Sequence, residues 1–150
     1  MVSVPNELKK HRIPAGYFDV TEAQTALSTH LNQSFGEGDW IKRYSNQQFF
    51  LNQELIQERK INKENIEAIC ANFLISFDGI KNTFTASQLH QNEYQNGVHA
   101  LVQKGFNQKR SGDVIINLES GWIEWNSPTG TTHGSCYSYD THVPLIFWTF

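Results

Sequence analysis

The chain has 150 residues, of which 39% are apolar and 13% aromatic, enough to build one domain around a single core. Charged residues make up 18%, the formal net charge is -3, and the longest basic cluster is 9-KKHR-12, so neither nucleic acid nor an anionic membrane surface is an expected partner. There is no apolar run of about 18 residues to span a bilayer. The start, MVSVPNELKK, lacks a basic region followed by an apolar one, and no export signal is expected within these residues.

Residues 1–20 hold two of the four prolines and read as an extended lead-in to a single α+β domain over 21–150. Within the lead-in, 13-IPAGYF-18 is the part expected to pack down. A helix is expected from Thr21, where 21-TEAQ-24 has the form of a capping box. It places Ala23, Leu27, Leu31 and Phe35 on one face and stops at Gly36. The run 39-DWIKRYSNQQFFLN-52 suggests two short strands joined at Ser45 and Asn46. A helical turn is expected over 53–60. A second helix, capped by Asn62, should put Ile66, Ile69, Cys70, Phe73 and Phe77 on one side and end at Asp78 and Gly79.

The alternating, β-branched run 80-IKNTFTASQL-89 predicts a strand. A third helix is expected over 93–104, with Val98, Leu101 and Val102 inward and Gly105 at its end. After the basic turn 107-NQKRSGD-113, a strand is expected over 114–125, continuing into a loop or a second strand, and a last one over 143–150. This order predicts an α+β layer, a mostly antiparallel sheet with helices packed on one face. A strand that runs to the final residue, and a proline-containing start, give the expectation of a piece cut at both ends.

Chemistry-bearing residues collect in 129-TGTTHGSCYSYDTHVPLIFW-148. His133 stands between Gly130 and Gly134, which let the backbone bring an imidazole close to a metal or phosphate group. The same spacing also suits a loop histidine held by hydrogen bonds. His142 and Asp140 carry good zinc donors, yet nine residues separate His133 from His142, which matches no common zinc spacing. Bracing of the loop as it enters the strand is the alternative for Asp140 and His142. Trp122, Trp125 and Tyr137 could form an aromatic face for a ligand or simply pack. Lys109 and Arg110 could hold a phosphate or form a solvated turn. Cys70 falls on an apolar helix face, as a small core residue does. Cys70 and Cys136 indicate no disulfide framework, and no nucleophile elbow, phosphate loop, metalloprotease helix or dinucleotide fingerprint occurs.

The segments 107-NQKRSGDVIINLESGWI-123 and 130-GTTHGSCYSYDTHVPLIF-147 resemble the C-terminal part of the bacterial phosphate-irrepressible type of alkaline phosphatase, within the alkaline phosphatase and nucleotide pyrophosphatase/phosphodiesterase superfamily. The segments 12-RIPAGYF-18, 49-FFLN-52 and 100-ALVQKGFNQKRSGD-113 extend the resemblance over nearly the whole chain. It departs at Cys136, where proline is common, and at the ending WTF. The resemblance implies a C-terminal segment of the larger alkaline phosphatase α/β fold. It also implies a parent enzyme with two zinc ions that hydrolyses phosphate monoesters through a phosphothreonine, usually in the periplasm. By the same resemblance His133 is one zinc ligand, and Thr132, Ser135, Asp140 and His142 support the loop around it. The nucleophile and the other ligands are expected in an upstream part of the same enzyme, which makes that part the partner, and the isolated chain is expected to be inactive. A phosphodiesterase of the same superfamily, or a non-catalytic α+β binding module, remains as an alternative.

Overall fold

The computed structural model describes residues 14–124 and 135–141. The expected strand over 143–150, together with Trp125, Thr132, His133 and His142, lies outside these residues.

Six strands and six helices follow one another among the described residues: β1 (Gly16–Tyr17), α1 (Val20–Phe35), β2 (Ile41–Ser45), β3 (Gln48–Leu51), α2 (Gln53–Glu58), α3 (Lys63–Leu74), β4 (Ile80–Thr85), α4 (Ala86–Gln91), α5 (Gly97–Gly105), β5 (Val114–Leu118), β6 (Trp122–Ile123) and α6 (Ser138–Thr141). The main sheet has the order β2-β3-β5-β4 with every neighbouring pair antiparallel, and β1 pairs with β6 in a separate parallel ribbon. The α+β expectation with an antiparallel sheet therefore stands.

All five residues of β5 are buried. Strand geometry sends Val114, Ile116 and Leu118 to one face, and there they join Ala23, Leu27 and Leu31 of α1 and Ile66, Cys70 and Leu74 of α3 in the main core. Ile115 points the other way, into a smaller cluster with Phe84 of β4 and Leu89 of α4, edged by Val98 and Val102 of α5. The sheet thus rests mainly on α1 and α3, with a satellite cluster behind it.

Several boundaries differ from the sequence reading. The cap of α1 is Asp19, whose Oδ1 accepts the N–H of Thr21 at 2.8 Å and of Glu22 at 3.0 Å. A full carboxylate charge at the positive end of the helix outweighs the hydroxyl of Thr21, which is left inside the first turn. The hairpin turns one residue later than expected, at Asn46 and Gln47, both at positive φ (50° and 60°). That is the two-residue turn whose twist matches its strands. The expected strand over 80–89 stops at Thr85, because the Thr85 hydroxyl accepts the Gln88 N–H at 3.1 Å and opens α4. Helix α3 ends at Leu74 rather than at Asp78 and Gly79, and α5 begins at Gly97 rather than 93. Within α5 Val98 and Val102 pack against the satellite cluster as expected and Ala100 is buried, while Leu101 is 49% exposed.

Candidate functional site

The short turn 135–141 is docked against the C-terminal end of β5. Asn117 is a lone amide inside the aliphatic run VIINL, and it is buried. A buried amide must find partners. Its Oδ1 accepts the Cys136 thiol at 3.1 Å, and its Nδ2 donates to Asn82 Oδ1 at 3.4 Å. One residue further on, the Tyr137 hydroxyl donates to the Leu118 carbonyl at 2.8 Å. Within the turn, the Ser135 N–H donates to Asp140 Oδ2 at 3.0 Å. The structure therefore brings Ser135 and Asp140 together and fixes both through their neighbours to the sheet.

The electrostatics around this turn favour protonated groups. Burial pushes the Cys136 thiol up, against the hydrogen bonds at its sulfur. Burial likewise pushes the Tyr137 phenol up. Lys81 sits beside the turn, its ammonium 3.2 Å from Glu119 Oε2, and that hydrogen bond holds it above its ordinary value.

Glu124 follows β6 and accepts the Tyr44 hydroxyl of β2. Burial raises the Glu124 carboxyl, although the bond to Tyr44 opposes it, and burial with Glu124 nearby raises the Tyr44 phenol far above its usual range.

Of the aromatic candidates, Trp122 packs half-buried against the main core, while Tyr137 is committed to the Leu118 carbonyl. Lys109 and Arg110 are exposed in the 107–113 turn, whose Ser111 hydroxyl accepts the Asn107 N–H at 2.9 Å. Cys70 is buried in the core. Among the described residues no three His, Cys, Asp or Glu side chains come together to hold a metal ion.

The sequence reading missed a second polar centre. Asp113, at the entrance to β5, accepts the Leu51 N–H at 2.8 Å, the Gln53 side-chain amide at 2.9 Å and the Lys63 ammonium at 3.1 Å. Lys63 also approaches Glu67 Oε1 at 3.6 Å, and Glu67 Oε2, fully buried, accepts the Ser87 N–H at 3.0 Å. Burial pulls the Lys63 ammonium down, yet Asp113 and Glu67 together hold it above its ordinary value. Burial pushes the Glu67 carboxyl up, against the Ser87 bonds and Lys63. This centre ties α3 to the sheet, and in sequence only the spacing of Lys63 and Glu67 hinted at it.

No family model matches the chain. A protein of Myroides odoratus named calcium-transporting ATPase is 31% identical over 134 residues, 89% of this chain and 24% of that protein. Alkaline phosphatase PafA of Elizabethkingia meningoseptica is 26% identical over 140 residues, 93% of this chain and 26% of that enzyme. Alkaline phosphatase PhoV of Synechococcus elongatus is 29% identical over 102 residues, 68% of this chain and 18% of that enzyme. The crystal structure of wild-type PafA superposes with a TM-score of 0.79 at 24% identity over 92% of this chain, and a PafA variant with four substitutions does so at 0.77 and 25%. The chain spans about a quarter of the length of the first two relatives, at 24% and 26%. In sequence and in fold, the chain is similar to the C-terminal part of an alkaline phosphatase-type protein.

Proposed function

We propose that this chain is part of a phosphoric ester hydrolase of alkaline phosphatase type and supplies one zinc ligand, His133, to a site completed by residues outside the 150. The observation that carries this reading is the alignment with two alkaline phosphatases over 93% and 68% of the chain. When bound, zinc in such a site supplies Lewis acidity that activates oxygen nucleophiles and offsets charge on the transferred phosphoryl group. A catalytic ion needs about three protein ligands, so a single imidazole is not a site by itself. In this reading the substrate is a phosphate monoester, the nucleophile is a threonine upstream, and the whole enzyme is exported to the periplasm.

The described residues contribute position. The Tyr44–Glu124 bond precedes the segment bearing His133, and the Cys136–Asn117 and Tyr137–Leu118 bonds follow it. Asp140 acts on the turn through the Ser135 N–H, a supporting role shared in this reading with Thr132 and His142.

The test is aryl-phosphate turnover and bound zinc in the longest protein that contains this chain, compared with its His133→Ala variant. Replacing a ligand should cost about 100-fold or more, at least what an outer-shell partner is worth, and reduce the zinc held. Unchanged turnover and zinc content would overturn the assignment. A bis-aryl phosphate turned over faster than the monoester would favour the phosphodiesterase alternative.

A further inference from the structure

A cleft of about 580 Å³ opens between the β1–β6 ribbon, the start of α1 and the end of α3. That is the size of a small-molecule site. Five aromatic residues line it: Tyr17, Phe18, Phe73, Phe77 and Trp122.

Three of these rings are fixed by their own packing. The Trp122 indole lies so close to Gly16 and Gly79 that a Cβ at these positions would come within 2.7 Å and 2.1 Å of it, so both must lack one. Phe77 meets Phe73 edge-on with centroids 5.5 Å apart, and Phe73 is stacked on His30 at 4.3 Å. The wall is therefore formed before any ligand arrives.

The rim is acidic. Asp19, Glu22 and Asp78 all line the cleft, and no Lys, Arg or His does so among the described residues. Asp19 is committed to capping α1. Among the described residues neither Glu22 nor Asp78 has an ion-pair partner.

An anion would be repelled by this rim, and a neutral apolar molecule would make no use of it. A cation with apolar substituents meets both features, since aromatic faces attract cations and unpaired carboxylates raise their local concentration. We propose that the cleft is a binding site for an organic cation of the alkylammonium class, its apolar substituents against Phe77 and Trp122 and its charge toward Glu22 and Asp78. The proposal does not rest on the hydrolase reading.

The test is calorimetric titration of the 150-residue chain with choline and with its neutral isostere 3,3-dimethylbutan-1-ol at constant ionic strength. Choline should bind saturably and about fivefold or more tighter than the isostere. The double variant Glu22→Gln/Asp78→Asn and the variant Phe77→Leu should each weaken choline by about fivefold or more, with far-UV circular dichroism unchanged. Should Phe77→Leu disturb the fold, the charge variant alone decides. Equal binding of the two probes, no saturable binding of choline, or binding that survives the charge variant would each overturn the proposal.

Discussion

Asp113→Ala should be among the most damaging single substitutions in this chain. The carboxylate is almost fully buried and accepts three donors from three different segments: the Leu51 N–H, the Gln53 amide and the Lys63 ammonium. Truncation leaves the buried Leu51 N–H unpaired, which costs about 1–3 kcal/mol, and removes two bonds to a charged acceptor. Lys63 is 47% exposed, so its share is discounted for water that can replace the carboxylate. The sum is about 3–5 kcal/mol, the cost of breaking a buried pair on one side. With a urea slope of about 1–3 kcal/mol/M, the unfolding midpoint should fall by about 2 M. Asp113→Asn should cost less, because its carbonyl still accepts the Leu51 N–H, but its amide then faces two other donors. A pH signature accompanies it. The Lys63 ammonium is held above its ordinary 10.5, so its contribution is complete below that pH and lost as pH rises through the folded value. That alkaline loss should begin earlier in Asp113→Asn. A midpoint for Asp113→Ala close to wild type, with the slope unchanged, would refute the assignment of Asp113 as the tie between α3 and the sheet.

Glu67 should behave differently. Its folded carboxyl is raised above 4.5 by burial, so stability falls as pH rises from there through the folded value, and Glu67→Gln should remove that component in urea midpoints taken from acid to neutral pH. At neutral pH Glu67→Gln should change stability by less than about 1 kcal/mol, whereas Glu67→Ala, which orphans the Ser87 N–H, should cost about 2–4 kcal/mol. Gly79→Ala should cost about 3 kcal/mol or more, since φ is +89° and the new Cβ would lie 2.1 Å from the Trp122 ring, and near-UV circular dichroism should report the displaced indole. A thiol-reactive aryl disulfide should modify Cys136 slowly in the native chain and Cys70 only on unfolding, because burial pushes the Cys70 thiol up to about 12.

The helices were legible where one apolar face met a clear stop. Ala23, Leu27 and Leu31 lie on the buried side of α1 as their spacing requires, and Asn62 caps α3 through the Asn65 N–H at 2.8 Å. What escaped was decided by partners far along the chain or by a single side chain at a boundary. Leu101 reads as inward beside Val98 and Val102, but only the two valines reach the satellite cluster and Leu101 is left half-exposed. Thr85 continues an alternating pattern until its hydroxyl finds the Gln88 N–H and turns the strand into a helix. No local pattern announces Asp113 and Glu67 as buried charges, because Asp113 and its partner Lys63 are fifty residues apart in sequence. The turn 135–141 was read as a place for chemistry from its composition. Its attachment to Asn117 and Leu118 was not, since a single amide in VIINL says that a partner is needed without saying which.

The central claim is that His133 belongs to a hydrolytic site completed outside these residues, and complementation tests it most directly. The 150-residue chain with zinc should turn over no aryl phosphate, and addition of a separately produced upstream part of the same protein should restore turnover. The His133→Ala chain should restore none. Zinc-dependent turnover by the 150-residue chain alone, abolished in His133→Ala, would contradict the claim, because a complete site would then lie within these residues.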